Sequence, residues 1–219
     1  MRKIVAATFM SLDGVMQAPG GPEEDPTGGF TFGGWTFHYW DELMGQAMGE
    51  VFSAPFELLL GRKTYEIFAA HWPYVDDPIA KAFNATNKYV VTSSTEPLTW
   101  KNSIAIDSNV AAEIAYLKQQ DGPTLLLQGS SQLIQTLLAH QLIDEFKLLI
   151  FPVVLGRGKR LFGTGTVPVA LQLVDSKVST TGVAINTYVP AGEVRTGSFQ
   201  LEPPTEAELA RRKKMKVEG

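Results

Sequence analysis

The sequence contains no cysteine, which excludes disulfides, thiolate nucleophiles and thiolate-bound zinc or iron–sulfur clusters. That absence fits a reducing compartment, so a cytoplasmic location is the expectation. Histidine is scarce as well. His38, His71 and His140 lie far apart, with none of the short spacings that bring imidazoles onto one metal ion, and no metal site is expected. No apolar run approaches the ~20 residues that cross a bilayer. The opening segment Met1–Ala7 is positive and then apolar, but Ser11 and Asp13 break the run, so it reads as a buried first strand rather than a signal segment. A net charge of −4 speaks against a general nucleic-acid binder. The basic residues Arg211, Arg212, Lys213, Lys214 and Lys216 read as a solvated tail. The expected partner is a small molecule, with neither nucleic acid nor membrane.

What is present describes a folded enzyme-sized unit. A hydrophobic content of 44% against 19% charged residues supports a core and excludes disorder of the whole chain. The pattern divides into a domain over 1–190 and a tail over 191–219, where Thr205 and Glu208 could cap a small helix. Short apolar runs (3–10, 57–60, 88–92, 103–106, 124–127, 144–154) alternate with helical spacings at 41–52, 63–70, 77–84, 107–119 and 129–138. Strands alternating with helices imply a parallel sheet covered on both faces. Runs at 171–179 and 182–189 close it with an antiparallel hairpin. Pro152, near the end of the longest strand, points to an edge or a bulge there. Residues 18–37, rich in Gly and Pro with Glu23, Glu24 and Asp25, form a long loop. With the aromatic residues of 30–40, that loop reads either as a lid over a flat ring or as a segment packed on its own core.

Two strand-to-helix junctions carry the chemistry. In Leu60-Gly61-Arg62-Lys63-Thr64 a strand ends, a glycine permits close approach and a helix begins with two cations and a hydroxyl. Helix N-termini present free N–H groups and partial positive charge, and guanidinium pairs well with phosphate oxygens. Leu127-Gln128-Gly129-Ser130-Ser131-Gln132-Leu133 repeats the arrangement. Ser93 and Ser94, after the strand at 88–92, belong to the same sheet edge. Ligands of α/β sheets lie beyond the carboxyl ends of the strands, so two such junctions can grip one dinucleotide. Neither a P-loop nor a G-x-G-x-x-G turn is present.

These segments resemble the dihydrofolate reductase-like family. Leu60-Gly61-Arg62-Lys63-Thr64-Tyr65-Glu66 is similar to its cofactor-binding turn, Val90-Val91-Thr92-Ser93-Ser94 to its phosphate-contacting strand end, and Leu126 to Ser131 to its glycine pair. Ser11-Leu12-Asp13-Gly14 and Phe151 to Gly158 resemble the reductase domain of riboflavin biosynthesis. The resemblance implies a three-layer fold, with a mixed, mostly parallel sheet flanked by helices, and a homodimer, for which the strand at 144–154 is a candidate contact. It implies NADPH, with Arg62, Lys63, Ser93 and Ser94 toward the adenosine 2′-phosphate. Gly61, Thr64, Gly129, Ser130, Ser131, Gln132 and Leu133 would lie along the rest of the cofactor. The activity implied is reduction of a pyrimidine- or pteridine-like heterocycle, as in 5-amino-6-(5-phosphoribosylamino)uracil reductase. The alternatives are dihydrofolate reduction and a nucleotide- or pterin-binding module without catalysis.

The departures concern catalysis. Gln128 stands where the riboflavin-pathway reductases carry a substrate-contacting carboxylate, and Ser130 replaces the second glycine. The acid that dihydrofolate reductases place in their first long helix has no clear counterpart among Asp41, Glu42 and Glu50. The zinc-binding His and Cys residues of the deaminase half of the bifunctional riboflavin enzyme have no counterparts in this sequence, so deaminase chemistry is not expected of it. The candidate catalytic residues are therefore Asp13, which ends the first strand and would orient substrate or relay a proton, and Asp41. Ser11 and Gln128 are the candidate substrate contacts.

Overall fold

The computed structural model describes residues 1–200 and 202–218. Six strands run parallel: β1 (Ile4–Ser11), β2 (Phe56–Gly61), β3 (Lys88–Val91), β4 (Ser103–Ile106), β5 (Thr124–Leu127) and β6 (Glu145–Phe151). The hairpin of β7 (Leu171–Val178) and β8 (Ala184–Pro190) joins antiparallel to β6, completing one sheet of eight strands in the order β4-β3-β2-β5-β1-β6-β8-β7. Side chains alternate across a strand, so neighbouring residues serve opposite layers. Ile4, Ala6, Leu59, Leu125 and Leu127 face α4 (Val110–Gln119) and α5 (Ser131–Ala139), where Ile114, Leu117, Leu133, Ile134, Leu137 and Leu138 cover them. Val5, Ala7, Leu58, Leu60, Val90 and Leu126 face the opposite layer. That layer is built by α1 (Glu42–Ser53), α2 (Arg62–Ala69) and α3 (Pro78–Ala85), through Phe52, Tyr65, Phe68 and Phe83.

The local signals act as their chemistry dictates. Asp77 caps α3 by accepting from Ala80 N at 2.7 Å, with Pro78 in the first turn, where a missing N–H costs nothing. Asn109, by contrast, precedes α4 with φ +45° and makes no side-chain cap bond, although Asp107, Ser108 and Asn109 are all residue types that cap helices. The tail carries a longer helix than the sequence pattern implied, α6 (Glu206–Glu218), whose Glu208 N is capped by Thr205 Oγ1 at 3.2 Å. The strand at 144–154 is shorter than expected and interior. It lies between β1 and β8, both its backbone edges are paired, and Pro152 falls beyond its end. The edge strands are β4 and β7; in β7, Leu173 and Val174 are half exposed and the ladder slips by a residue between Leu173 and Asp175.

One buried charge has no sequence signal. Lys88 opens β3 with its side chain wholly inside the second layer. Its ammonium donates to the carbonyls of Asn84 at 3.3 Å, Thr86 at 2.8 Å and Lys101 at 3.1 Å, and lies 4.3 Å from the centre of the Trp100 ring. The indole supplies the negative face that a desolvated cation favours. Burial, with a smaller push from Lys101, lowers its pKa from 10.5 to about 8. Below about pH 8 both folded and unfolded chains carry the proton, and the folded state bears the full cost of desolvation. Between about 8 and 10.5 the unfolded chain binds more protons, so stability rises with pH across that window. Relative to a Lys88→Met variant, the wild type should gain on the order of 2 to 3 kcal/mol between pH 7.5 and 10.5. Urea unfolding at a series of pH values measures this, and parallel curves for the two proteins would refute it.

Candidate functional site

A cleft of about 950 Å³ opens along the carboxyl ends of β1, β2, β3 and β5. Its two halves differ in chemistry. One is made by the strand-to-helix junctions: Gly61, Arg62, Lys63 and Thr64 from the start of α2, Thr92 and Ser93 after β3, and Gln128 to Leu133 at the start of α5. These groups are overwhelmingly donors, comprising the free N–H groups of two helix ends, hydroxyls, an ammonium and a guanidinium. The other half is apolar and aromatic, lined by Phe9, Trp40, Met48, Phe52, Phe68 and Trp72.

The two junctions are locked to each other. Ser130 Oγ accepts from Gly61 N at 2.8 Å and donates to Thr64 Oγ1 at 2.7 Å. Ser130 adopts φ +63°, the left-handed conformation that a glycine would hold more easily. It therefore performs the turn of the glycine it replaces, and its hydroxyl adds a bond to the opposite turn. A side chain on Gly61 would have its Cβ 3.1 Å from Ser130 Oγ. One on Gly129, at φ +107°, would meet Thr64 Cγ2 at 3.1 Å and Oγ1 at 3.2 Å.

Arg62 is already engaged. Its Nε donates to Glu66 at 2.6 Å, Nη1 to the Glu96 carbonyl at 2.9 Å and Nη2 to the Glu96 carboxylate at 3.0 Å. Ser94 does not line the cleft. Its N–H donates to Thr92 Oγ1 at 3.0 Å and its Oγ accepts from Glu96 N at 3.2 Å, so it shapes the turn behind Ser93.

The acids expected to be catalytic are placed elsewhere. Asp13 lies off the cleft and fastens two loops. It accepts from Ser11 Oγ at 2.7 Å, Leu155 N at 3.0 Å and Gly156 N at 2.8 Å, with Arg160 at 3.4 Å. Burial pushes its pKa upward, but the bonds from Ser11, Leu155 and Gly156 prevail and hold it below the usual value. Ser11 is wholly buried, and its hydroxyl also accepts from Val15 N at 2.9 Å, leaving it no exposure for a substrate. Asp41 is the N-cap of α1, accepting from Met44 N at 3.0 Å, and also binds Thr180 through its N–H at 2.8 Å and hydroxyl at 2.7 Å. Those bonds, the Met44 N–H first, hold its pKa below the ordinary value. Neither carboxylate lines the cleft, and each is engaged by backbone N–H groups and a hydroxyl. Helix α1 turns Gly45, Met48 and Phe52 toward the cleft and contributes no acid.

Acids do reach the cleft, Asp107 from the end of β4 and two more from the loop at 18–37. Its first part, Ala18 to Gly20 with Glu24 and Asp25, forms a wall. Its second part packs on the body: Trp35 sits 5.1 Å from the Phe151 ring and donates to Gln17 O at 2.8 Å, and Phe30 is buried against Val15 and Ala18. The second part is thus packed on its own core, while the first lines the cleft. Of its aromatics only Trp40 meets the cleft, and the other rings come from β1, α1, α2 and the turn at Trp72. Asp25 pairs with Lys159 and bonds Thr27. Against the upward push of burial these partners hold its carboxyl below the usual value. Glu24 accepts from Gly20 N at 2.6 Å and Gly21 N at 3.2 Å, yet burial prevails and raises its pKa. The acidic patch was visible in the sequence, but nothing local indicated that it folds back over the sheet edge.

A mostly parallel sheet closed by an antiparallel hairpin, with paired strand-to-helix turns at its carboxyl edge, is the dihydrofolate reductase-like α/β fold. The chain belongs to the RibD C-terminal domain family, whose model matches residues 2–185. Bacillus subtilis (strain 168) protein YyaP, itself uncharacterized, is 28% identical over 85% of this chain and 94% of its own. Dihydrofolate reductase from Enterococcus faecalis, solved with NADP(H), superposes with a TM-score of 0.54 at 18% identity, covering 86% of this chain and 96% of that one. A Thermotoga maritima diaminohydroxyphosphoribosylaminopyrimidine deaminase/5-amino-6-(5-phosphoribosylamino)uracil reductase gives 0.56 at 14% identity. That match covers 87% of this chain and 57% of the Thermotoga one.

The lock between the junctions sets a test. Gly129→Ala combines a left-handed backbone with a collision against Thr64, and should cost about 1 to 3 kcal/mol in urea unfolding. Ser130→Gly keeps the conformation and loses only the hydroxyl bonds, so about 1 kcal/mol is expected. A Gly129→Ala protein as stable as wild type would show that the junctions are not packed as described.

Proposed function

We propose that this protein is an NADPH-dependent reductase of a small pyrimidine- or pteridine-like heterocycle. The observation that carries this reading is the division of one cleft into a donor-rich half from three strand ends and an aromatic half beside it. The donor set fits a dinucleotide. Helix N-termini at Arg62–Thr64 and Ser131–Leu133 suit the pyrophosphate, and Arg62, Lys63 and Ser93 suit an adenosine 2′-phosphate. Membership of the RibD C-terminal domain family and the Enterococcus neighbour's bound NADP(H) support the same cofactor.

When bound, the cofactor would supply hydride to a C=N or C=O carbon. The protein must then orient the acceptor, exclude water and deliver a proton to the other atom of that bond. Phe9, Trp40, Phe52, Phe68 and Trp72 offer flat apolar faces to a ring, and Gln128 offers an amide to its polar edge. Glu24 is the carboxyl group suited to hold the proton, because its burial favours the neutral acid. Dihydrofolate as the substrate is disfavoured by the absence of an acid on the cleft face of α1.

Titration with NADPH and NADH, followed by fluorescence and melting temperature, tests the cofactor. NADPH at a hundredfold excess over its Kd should stabilise by ~2.7 kcal/mol. Arg62→Ala should weaken NADPH about tenfold, by loss of a charge-assisted contact, and NADH little. A folded protein that binds neither dinucleotide overturns the reading. With a substrate from a screen of oxidised pyrimidines and pteridines, Glu24→Gln should lower turnover by about a hundredfold while cofactor affinity stays constant. Wild-type activity should fall as pH rises through the raised Glu24 pKa, because the protonated form is the donor. A Gln variant with the wild-type rate and pH profile would exclude Glu24.

A further inference from the structure

Arg62 sits at the first position of α2 with its side chain 17% exposed, and it faces two carboxylates from different directions. Glu66, one turn along the same helix, takes Nε, while the Glu96 carboxylate takes Nη2 and the Glu96 carbonyl takes Nη1. The edge formed by Nε and Nη2, which an oxyanion would grip with two parallel bonds, is therefore shared between two different acids. Of the two, Glu96 is the more exposed, at 77% against 52%.

Glu96 is held in place by the turn that carries it. Thr92 Oγ1 accepts from Ser94 N and Ser94 Oγ accepts from Glu96 N, so the chain after β3 bends in two hydrogen-bonded steps. The first part of that bend, Thr92 and Ser93, lines the cleft, and the last brings a carboxylate to the guanidinium from outside the rim. A single turn thus presents hydroxyl donors to the cleft and a negative charge to its cation.

We propose that Glu96 sets the preference between phosphorylated and unphosphorylated dinucleotides by competing with the adenosine 2′-phosphate for Arg62. This rests on the reading of the cleft as a nicotinamide-dinucleotide site. A 2′-phosphate that binds Arg62 must displace the Glu96 carboxylate from Nη2 and then lie near it, like charge beside like charge. The Glu96 end of the pair is exposed and readily rehydrated, so displacement is feasible, but the repulsion persists against the phosphorylated ligand. A ribose 2′-hydroxyl meets no such repulsion and can donate to a carboxylate, as it does in NAD-selective dinucleotide sites. The carbonyl bond from Glu96 to Nη1 survives the exchange and keeps the guanidinium in position. Glu96 is accordingly a specificity-determining residue that acts through Arg62.

The test uses 2′,5′-ADP and 5′-AMP, which isolate the adenosine end, alongside NADPH and NADH, with wild type, Glu96→Gln and Glu96→Ala. Both variants should tighten 2′,5′-ADP and NADPH about three- to tenfold in low salt, leaving 5′-AMP and NADH unchanged or weaker. The gain should shrink at high ionic strength, where exposed charges are screened. Equal changes for phosphorylated and unphosphorylated ligands, or none for either, overturn the proposal while NADPH binding by wild type leaves the cofactor reading intact. Folded wild type that binds none of the four ligands overturns both.

Discussion

The fold of the site depends on a single contact between two turns that are distant in the chain. Gly61 and Thr64 close one strand-to-helix junction, Gly129 and Ser130 the other, and each glycine leaves the room that the other turn's hydroxyl side chain fills. The pairing of β2 with β5, which sets Phe56 opposite Thr124 and Leu58 opposite Leu126, brings the strand ends level. Ser130 then accepts from a backbone N–H that would otherwise lack a partner at the end of β2. The cost of its left-handed backbone is set against two hydrogen bonds. Helices α2 and α5 therefore start at one place, on opposite faces of the sheet, with their free N–H groups in a common cleft.

Much of this was legible in the chain. The alternation of apolar runs with helical spacings located the strands to within a residue or two, apart from the end of β6, because each strand serves two buried layers and each helix only one. The junctions were legible because phosphate-type turns require glycine, hydroxyls and cations in a short span. Asp77 with Pro78, and Thr205 with Glu208, marked helix starts by local chemistry alone. What failed was whatever depends on partners remote in sequence. Asp13 and Asp41 look like catalytic acids until Leu155, Gly156 and Thr180 arrive to occupy them. Nothing in the sequence marks Lys88 as buried, and the carbonyls of Asn84, Thr86 and Lys101 with the Trp100 ring make its burial tolerable.

The acids illustrate a division of labour. A carboxylate surrounded by N–H donors is held ionised and serves as a fastener. Asp13 clips the exit of β1 to the loop after β6, and Asp41 clips the start of α1 to the final hairpin. Glu24 also accepts two N–H bonds, but there burial outweighs them and raises its pKa. Reading acids by residue type alone conflates these cases; counting donors and burial together separates them.

The position of β6 has a consequence for synthesis. This strand, Glu145–Phe151, lies inside the sheet, yet one of its two neighbours, β8, is among the last segments of the domain to be made. Ribosomes add about 5 to 20 residues per second, so the β8-facing edge of β6, with Phe146, Leu148 and Leu149 beside it, waits some seconds for Ala184–Pro190 to emerge. Throughout that interval the nascent chain carries an unpaired, apolar strand edge, the feature most prone to capture by another chain. The final hairpin acts as a closing seal as well as a structural element, and a protein halted before residue 184 would be completed in its site yet open at its flank.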